Sequence, residues 1–263
     1  MPTGQTGLHD VAVASNERVA EKLFRIVLSA PELASGLRAG QFLEVAVPGD
    51  ASQILRVPLS FSRADAKAGS VEIIYALVGD ATRRLSRMVP GDAATVVGPC
   101  GNPWRVRPGQ LRAALVSGGV GVTPIVACAG MLADAGVPFD AVVGATDASR
   151  LWGADELRSL GASEVVLTTD DGSAGLRGVT TDGLRALLAG RAYDEVYACG
   201  PEPMMAAVAR LAHEAHVGCQ VSMERMMSCG FGACGTCNVA LASGGYASAC
   251  KDGTVFDAEE VAW

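Results

Sequence analysis

Residues 113–124 read Ala-Ala-Leu-Val-Ser-Gly-Gly-Val-Gly-Val-Thr-Pro, an apolar run that passes directly into a glycine-rich turn. The run predicts a buried strand, and residues 124–135 predict the helix that follows. We expect Thr123 to cap this helix and Pro124 to take its first position, which leaves free N–H groups facing a phosphate. The spacing G-G-x-G-x-x-P suits a dinucleotide pyrophosphate, and a tight structural turn is the alternative. The candidate cofactor residues of this turn are Gly118, Gly119, Gly121, Thr123 and Pro124.

The rhythm of strand followed by helix continues as far as residue 215. The predicted strands lie at 113–117, 141–144, 165–169 and 195–198, and the predicted helices at 124–135, 155–160, 181–188 and 203–215. Strands that alternate with helices of this length form a parallel sheet covered on both faces. We therefore expect a Rossmann-like parallel-sheet domain that binds NAD, at residues 110–221.

Two further features of this half point to the same edge of the sheet. Cys199-Gly200-Pro201 ends a predicted strand, so it should emerge beside the first turn and complete a crevice. Cys199 is the candidate catalytic residue, packed beside a nicotinamide ring, with a buried structural thiol as the alternative. Gly200 and Pro201 are candidate cofactor residues. Asp147 follows another strand, and its carboxylate would accept the ribose hydroxyls and disfavour a 2′-phosphate, which predicts NAD over NADP; a solvated loop aspartate is the alternative.

The first part of the chain has a different pattern. Short β-like runs at 23–28, 41–47, 71–78 and 94–97 are separated by turn residues. This pattern predicts an antiparallel barrel or sandwich, which we assign to residues 1–109. The last segment, residues 222–263, is rich in Gly and Cys and too poor in periodic apolar residues to form a core alone.

Four of the eight cysteines crowd into this last segment with the spacing C-x4-C-x2-C and then a fourth, and these are Cys229, Cys234, Cys237 and Cys250. The opening spacing is typical of plant-type [2Fe–2S] clusters. Small residues between the cysteines would let backbone N–H groups turn toward the sulfurs. A structural Zn²⁺ site is the alternative, although zinc usually takes paired C-x2–4-C knuckles.

Composition excludes several classes of function. Among 263 residues the net charge is −7 and aromatic residues make up 5%, which argues against nucleic acid or an anionic membrane as partner. No window is apolar enough for a membrane span, and residues 1–10 lack the pattern of a signal peptide. We therefore expect a cytoplasmic protein whose cysteines are not a disulfide framework.

The β half, the two glycine turns and the cysteine tail together resemble the ferredoxin reductase superfamily. Within it, the position of the tail and its ending at residues 250–256 are most similar to the electron-transfer subunits of dihydroorotate dehydrogenase type B. The resemblance implies that the β half binds FAD. One FAD motif, R-P-[IL]-S, corresponds to Val57, Pro58, Leu59 and Ser60, with Val57 at the arginine position and Arg56 one residue earlier. A second, L-Y-R followed by V-G-K-G-T, corresponds to Ile74, Tyr75 and Ala76 and to residues 78–82, with Ala76 at the arginine position, Ala81 at a glycine position, and Thr82 retained.

The resemblance also implies a role in electron transfer. FAD would exchange two electrons with NAD and single electrons with the [2Fe–2S] cluster, and the cluster would communicate with an FMN-containing catalytic subunit that oxidises dihydroorotate, in a heterotetramer. A reductase arm of another oxidoreductase, of the hydrogenase or ferredoxin:nicotinamide type, is one alternative. A zinc-binding regulatory or scaffold protein on a degenerate reductase fold is the other.

Overall fold

The computed structural model describes residues 6–47 and 55–263, and its first part is an antiparallel sheet. Seven strands pair in the order β4-β3-β7-β1-β2-β6-β5, and β4 also contacts β6, so the sheet curls on itself. The strands are β1 Gly7–Ala20, β2 Leu23–Ser29, β3 Phe42–Val45, β4 Val57–Ser60, β5 Arg63–Asp65, β6 Ser70–Ala76 and β7 Ala93–Cys100, with helices α1 Pro31–Gly36 and α2 Asp80–Leu85 between them. The predicted antiparallel FAD-domain architecture is confirmed, although the sequence patterns missed β1, β5 and both short helices.

The second part is built on a parallel sheet. Its strands are β8 Ala113–Gly118, β9 Phe139–Ala145, β10 Val165–Thr169, β11 Leu176–Arg177, β12 Glu195–Cys199 and β13 Gly218–Ser222. Its helices are α3 Val122–Asp134, α4 Ala154–Ser159, α5 Thr180–Gly190 and α6 Glu202–Glu214. Every residue of β8 is buried, as expected for a strand with helices on both faces. The predicted α/β class is therefore confirmed.

The cysteine tail joins this sheet rather than standing apart from it. It contains β14 Asn238–Ala240, β15 Tyr246–Ser248, α7 Ala249–Asp252 and β16 Val255–Asp257. β16 pairs antiparallel with β13, so the sheet runs β11-β10-β9-β8-β12-β13-β16. The tail buries its few apolar side chains against this sheet, which is how a segment without its own core becomes ordered. The domain boundaries after residues 109 and 221 stay predictions.

β13 was missed because polar residues interrupt its apolar pattern. Gln220 is fully buried in it, and its amide donates to Glu195 Oε1 at 2.9 Å and to the Arg105 carbonyl at 2.8 Å. These hydrogen bonds replace the lost hydration of the amide, so a polar side chain is tolerated in the core.

In the described part of the chain, no helix has the length and hydrophobicity of a membrane span.

The start of α3 corrects one sequence prediction. The helix begins at Val122 after a 3-10 turn at Gly119–Gly121, and Gly121 is its N-cap residue. Thr123 does not cap the helix, and Pro124 lies in the first turn rather than at the first position. The Thr123 hydroxyl instead donates to the Ile74 carbonyl of β6 at 3.0 Å. The Thr123 hydroxyl is not available as a cap because it lies at the junction with the antiparallel sheet, where it donates a hydrogen bond to this backbone carbonyl.

Candidate functional site

The three parts of the chain meet at one cleft of about 330 Å³, which we call the interdomain cleft. The antiparallel sheet contributes Phe42, all of β4, the end of β6 and Thr82; the parallel domain contributes Val120, Thr123 and Pro124. The end of β13 and the segment that leads from it to the first cysteine contribute residues 222–225 and Met227, and Thr254 completes the wall. Every predicted FAD residue lines this cleft except Ala81. Because β4 is the last strand of its sheet, it has an edge available to a ligand.

Arg56 does not take over the position of the family arginine. Its guanidinium donates to the Thr95 carbonyl at 2.7 Å and to Thr95 Oγ1 at 3.0 Å, and it is not among the described residues that line the cleft. Among those lining residues, Arg225 is the one cation, held by Glu202 at 2.8 Å. Glu224 also lines the cleft, and desolvation by the surrounding protein raises the pKa of its carboxyl. The cleft is otherwise apolar or neutral, which suits a flavin ring.

The two glycine turns lie side by side, as the sequence predicted. β8 and β12 are parallel neighbours with Ser117 opposite Cys199, so both turns emerge at the carboxyl edge. A Cβ atom on Gly121 would lie 2.4 Å from the Cys199 carbonyl oxygen, and one on Gly200 would lie 3.0 Å from the Gly118 nitrogen. Only glycine permits this approach. Gly121 and Gly200 therefore hold the turns together, and neither is among the residues that line the pocket described next.

A pocket of about 470 Å³ opens at this edge, and we call it the edge pocket. Among its lining residues are the predicted Gly118, Gly119 and Pro201. Thr168 and Thr180 also line it, and their buried hydroxyl oxygens have no hydrogen-bond partner among the described residues. Unpartnered buried hydroxyls are costly, so they indicate where a polar ligand binds. The residues present thus fit a dinucleotide.

Asp147 lies beside this pocket rather than in its lining. Its carboxylate accepts from the Ser149 backbone N–H at 3.0 Å and lies 3.4 Å from Arg150 Nε. The hydroxyls of Ser149 and Thr146 lower the pKa of Asp147. The carboxylate that does line the pocket is Asp170, directly after β10, together with Arg150. Sequence reasoning missed Asp170, although it follows a correctly predicted strand just as Asp147 does.

Cys199 is 1% exposed and lies outside the lining of both cavities. Its sulfur is 3.6 Å from the Ser222 carbonyl, and burial raises the pKa of its thiol well above the usual value. The thiol therefore keeps its proton. Its predicted contact with a nicotinamide ring stays a prediction.

The four tail cysteines form two pairs. Cys234 is the neighbouring thiol that helps to lower the pKa of Cys229, and Cys237 is the neighbouring thiol that helps to raise the pKa of Cys250. In residues 6–47 and 55–263, no group of three or more His, Cys, Asp or Glu is placed to hold a single metal ion. A mononuclear zinc site needs four ligands around one ion, whereas a [2Fe–2S] cluster places two on each iron. The pairing therefore fits the binuclear cluster better than zinc.

Backbone N–H groups of the loop face these sulfurs. Gly232 N donates to Cys250 Sγ at 3.1 Å, Ala233 N to Cys229 Sγ at 3.3 Å, and Cys250 N to Cys237 Sγ at 3.4 Å. Gly230 and Gly232 have φ angles of 77° and 84°, which a side chain would strain. Although burial opposes it, donation from backbone N–H groups lowers the pKa of Cys229 to about 6. Burial and the neighbouring Cys237 raise the pKa of Cys250 to about 12, so cluster binding must displace that proton.

Comparison with known proteins agrees with this geometry. Residues 10–104 match the family described as the oxidoreductase FAD-binding domain, and residues 224–262 match the iron-sulfur cluster binding domain of dihydroorotate dehydrogenase B. Among solved structures, one chain of an NADH-dependent reduced ferredoxin-NADP oxidoreductase superposes with a TM-score of 0.88 and 32% identity, over 99% of this chain and 91% of that one. The FAD and iron–sulfur predictions are confirmed, and the matches favour electron transfer over a zinc-binding scaffold.

Two curated relatives match almost end to end. The dihydroorotate dehydrogenase B (NAD(+)) electron transfer subunit of Geobacillus kaustophilus is 37% identical over 259 residues, 97% of this chain and 98% of that protein. A probable subunit of the same kind from Methanopyrus kandleri is 39% identical, over 95% of this chain and 90% of that protein. With this identity along the whole fold and both cofactor domains matched, the chain belongs to the family of dihydroorotate dehydrogenase B electron transfer subunits.

Proposed function

We propose that this chain carries electrons from an FMN-containing subunit that oxidises dihydroorotate to NAD⁺, by way of a [2Fe–2S] cluster and FAD. The observation that carries the proposal is the interdomain cleft, where the edge strand β4, the first glycine turn and the segment leading to Cys229 line one space. A flavin bound there would lie between the dinucleotide turns and the cysteine loop. When bound, FAD supplies the exchange between two-electron and one-electron chemistry.

The protein's own residues have three tasks in this scheme. β4 and residues 74–76 form the flavin wall, and Thr82 orders the turn before α2 by accepting from Gly79 N at 3.2 Å. The turns at Gly118 and Pro201 position the dinucleotide at the carboxyl edge. Cys229, Cys234, Cys237 and Cys250 ligate the cluster, with loop N–H groups donating to their sulfurs. A cytoplasmic location, where thiols stay reduced, fits the eight free cysteines.

We place the specificity for NAD in Asp170. Replacing Asp170 with serine should raise kcat/KM for NADPH relative to NADH by about ten- to hundredfold, because a carboxylate facing the ribose repels a 2′-phosphate. Ferricyanide reduction with each nucleotide measures this ratio. Asp147→Ser is the matched control and should change this ratio less than about threefold. The carboxylate of Asp147 already accepts a hydrogen bond from the Ser149 backbone and pairs with Arg150. A larger change of the ratio in Asp147→Ser than in Asp170→Ser would show that Asp147, and not Asp170, selects NAD over NADP.

The docking surface for the catalytic subunit is proposed at the cysteine tail. Met226, Phe231 and Tyr246 are 75%, 57% and 72% exposed and lie in the same segment as the four cysteines. Large apolar side chains exposed in one segment favour contact with another protein. Electron transfer also requires the cluster to lie close to its acceptor, and Cys234 is itself exposed.

The experiment that tests the function is reconstitution with a purified FMN-containing dihydroorotate dehydrogenase subunit under anaerobic conditions. We expect a coloured complex containing FAD, iron and sulfide that reduces NAD⁺ with dihydroorotate, with two copies of each subunit by native mass. Phe231→Asp should weaken the complex about ten- to hundredfold. Val89→Asp, at a residue also 57% exposed but on the antiparallel sheet side, should not weaken it. If the reconstituted protein is coloured but does not reduce NAD⁺ with dihydroorotate, the proposed function in dihydroorotate oxidation is wrong.

A second candidate is the reductase arm of a ferredoxin:nicotinamide enzyme. It is favoured by the 32% identity and 0.88 TM-score to the chain from the NADH-dependent reduced ferredoxin-NADP oxidoreductase. The same preparation distinguishes the two functions. Reduction of NAD⁺ by reduced ferredoxin, without any response to dihydroorotate and its dehydrogenase, would select this candidate.

A further inference from the structure

Glu44 is a buried carboxyl group that none of the functions above uses. It lies in the middle of β3 and is 1% exposed, between the buried Leu43 and Val45. Neither of its carboxyl oxygens has a hydrogen-bond partner among the described residues. An unpartnered buried carboxyl is expensive and rare in folded proteins, so its position requires a reason.

The side chain of Glu44 packs against the cysteine loop. A Cβ atom on Gly230 would lie 2.8 Å from Glu44 Cγ, 3.5 Å from Glu44 Oε1 and 3.4 Å from Cys100 Sγ. Gly230 directly follows Cys229, the first proposed cluster ligand. Glu44 therefore lies where the antiparallel sheet touches the loop, at a point where the loop backbone leaves no room for a side chain of its own.

The surroundings of Glu44 contain little to neutralise it. Burial raises the pKa of its carboxyl to about 7, Cys229 acts in the same direction, and Arg56 opposes both. Arg56 is committed to Thr95, with which its guanidinium makes two hydrogen bonds. Glu44 also does not line the interdomain cleft, although Phe42 on the same strand does. A direct flavin contact and a structural ion pair are therefore both poor explanations for this group.

We propose that Glu44 tunes the iron–sulfur cluster: when its carboxyl is ionised, the negative charge beside the Cys229 end of the loop lowers the reduction potential of the cluster. The inference rests on the cluster ligation proposed above. Reducing the cluster adds one electron, and a fixed negative charge nearby makes that addition less favourable. Buried charge beside the ligands is one of the levers by which proteins set such potentials. The expected consequence is a cluster that gives up its electron more readily.

The test is a redox titration of the full chain, purified anaerobically with its cofactors, monitored by the electron paramagnetic resonance signal of the reduced cluster. It is run at pH 9, so that the carboxylate is compared with its neutral amide. Glu44→Gln should favour cluster reduction at least tenfold, an upward shift of about 59 mV for one electron. Glu72→Gln is the control, because Glu72 lies in the same antiparallel sheet but already accepts from the Ser62 hydroxyl at 2.8 Å. It should leave the potential unchanged.

Several results would overturn the inference. An unchanged potential in Glu44→Gln with full iron content would do so, as would an equal shift in Glu72→Gln. If the glutamine variant does not retain iron, Glu44→Met is titrated in its place and must show the upward shift. Loss of iron from both neutral variants but not from Glu44→Asp would make the carboxyl a requirement for assembly and would overturn the tuning role. Absence of a [2Fe–2S] signal from the unchanged protein would count against the proposed ligation instead.

Discussion

Replacing Cys234 with serine should separate the two halves of the electron path. We expect transfer between the partner subunit and NAD⁺ to fall by at least about a hundredfold, because an alkoxide is a poor substitute for a thiolate on iron and even the loss of outer contacts costs ten- to hundredfold. NADH-dependent reduction of a small dye should persist, since the interdomain cleft and the edge pocket contain none of the four tail cysteines. The two assays on one preparation, with its iron content, measure the effect.

The control for this variant is Cys219→Ser. Cys219 is also a free, partly exposed cysteine, but it lies on β13 outside the cysteine loop. It should leave both activities and the iron content intact. Loss of dye reduction in Cys234→Ser, in protein that is folded and still contains FAD, would contradict a path in which the cluster lies beyond the flavin.

Adding a single methyl group at Gly121 should damage the dinucleotide site. The new Cβ atom would lie 2.4 Å from the Cys199 carbonyl oxygen and 2.7 Å from the Gly200 nitrogen, so backbone must move to admit it. We expect Gly121→Ala to lower the free energy of unfolding by about 1–3 kcal/mol. Because the two turns are forced apart, kcat/KM for NADH should fall by about ten- to hundredfold. Thermal unfolding and dye reduction measure the two effects.

Gly130→Ala is the matched control for this second variant. Gly130 lies within α3, the helix for which Gly121 is the N-cap residue, and a Cβ atom there would meet nothing within 4 Å. Alanine should therefore stabilise the helix by about 0.5–1 kcal/mol and leave the kinetics of NADH oxidation unchanged. Unaltered kinetics in Gly121→Ala would show that the contact of the two turns does not position the dinucleotide.

The dinucleotide half illustrates what pattern alone predicts well. Its predicted strand at 165–169 coincides with β10, and the helix predicted at 203–215 is one residue from the observed α6 at Glu202–Glu214. Continuous apolar runs and helical periodicity depend only on residues that are close together in the chain, so they predict these elements without knowledge of the tertiary structure. The alternation of strand and helix predicts parallel strands, and the observed parallel pairing of β8 with β12 brings both turns to one edge.

The antiparallel half illustrates the limits of pattern. β1 runs from Gly7 to Ala20, yet its sequence mixes charged and apolar residues and contains no clear alternation. Its strand character comes from pairing with β2 on one side and β7 on the other. β2 follows β1 directly through a tight turn, but β7 is distant in sequence, so no local window contains both partners.

The sequence by itself determined the fold class, the two glycine turns and the cysteine spacing, because each depends on residues that are close together in the chain. The tertiary structure alone decided that Asp170 and not Asp147 lines the edge pocket, that Arg56 turns to Thr95, and that Glu44 meets the cysteine loop. Each of these outcomes depends on where a side chain points once remote segments have packed. That direction is set by burial, hydrogen bonding and steric exclusion between segments, and it is therefore a property of the folded chain.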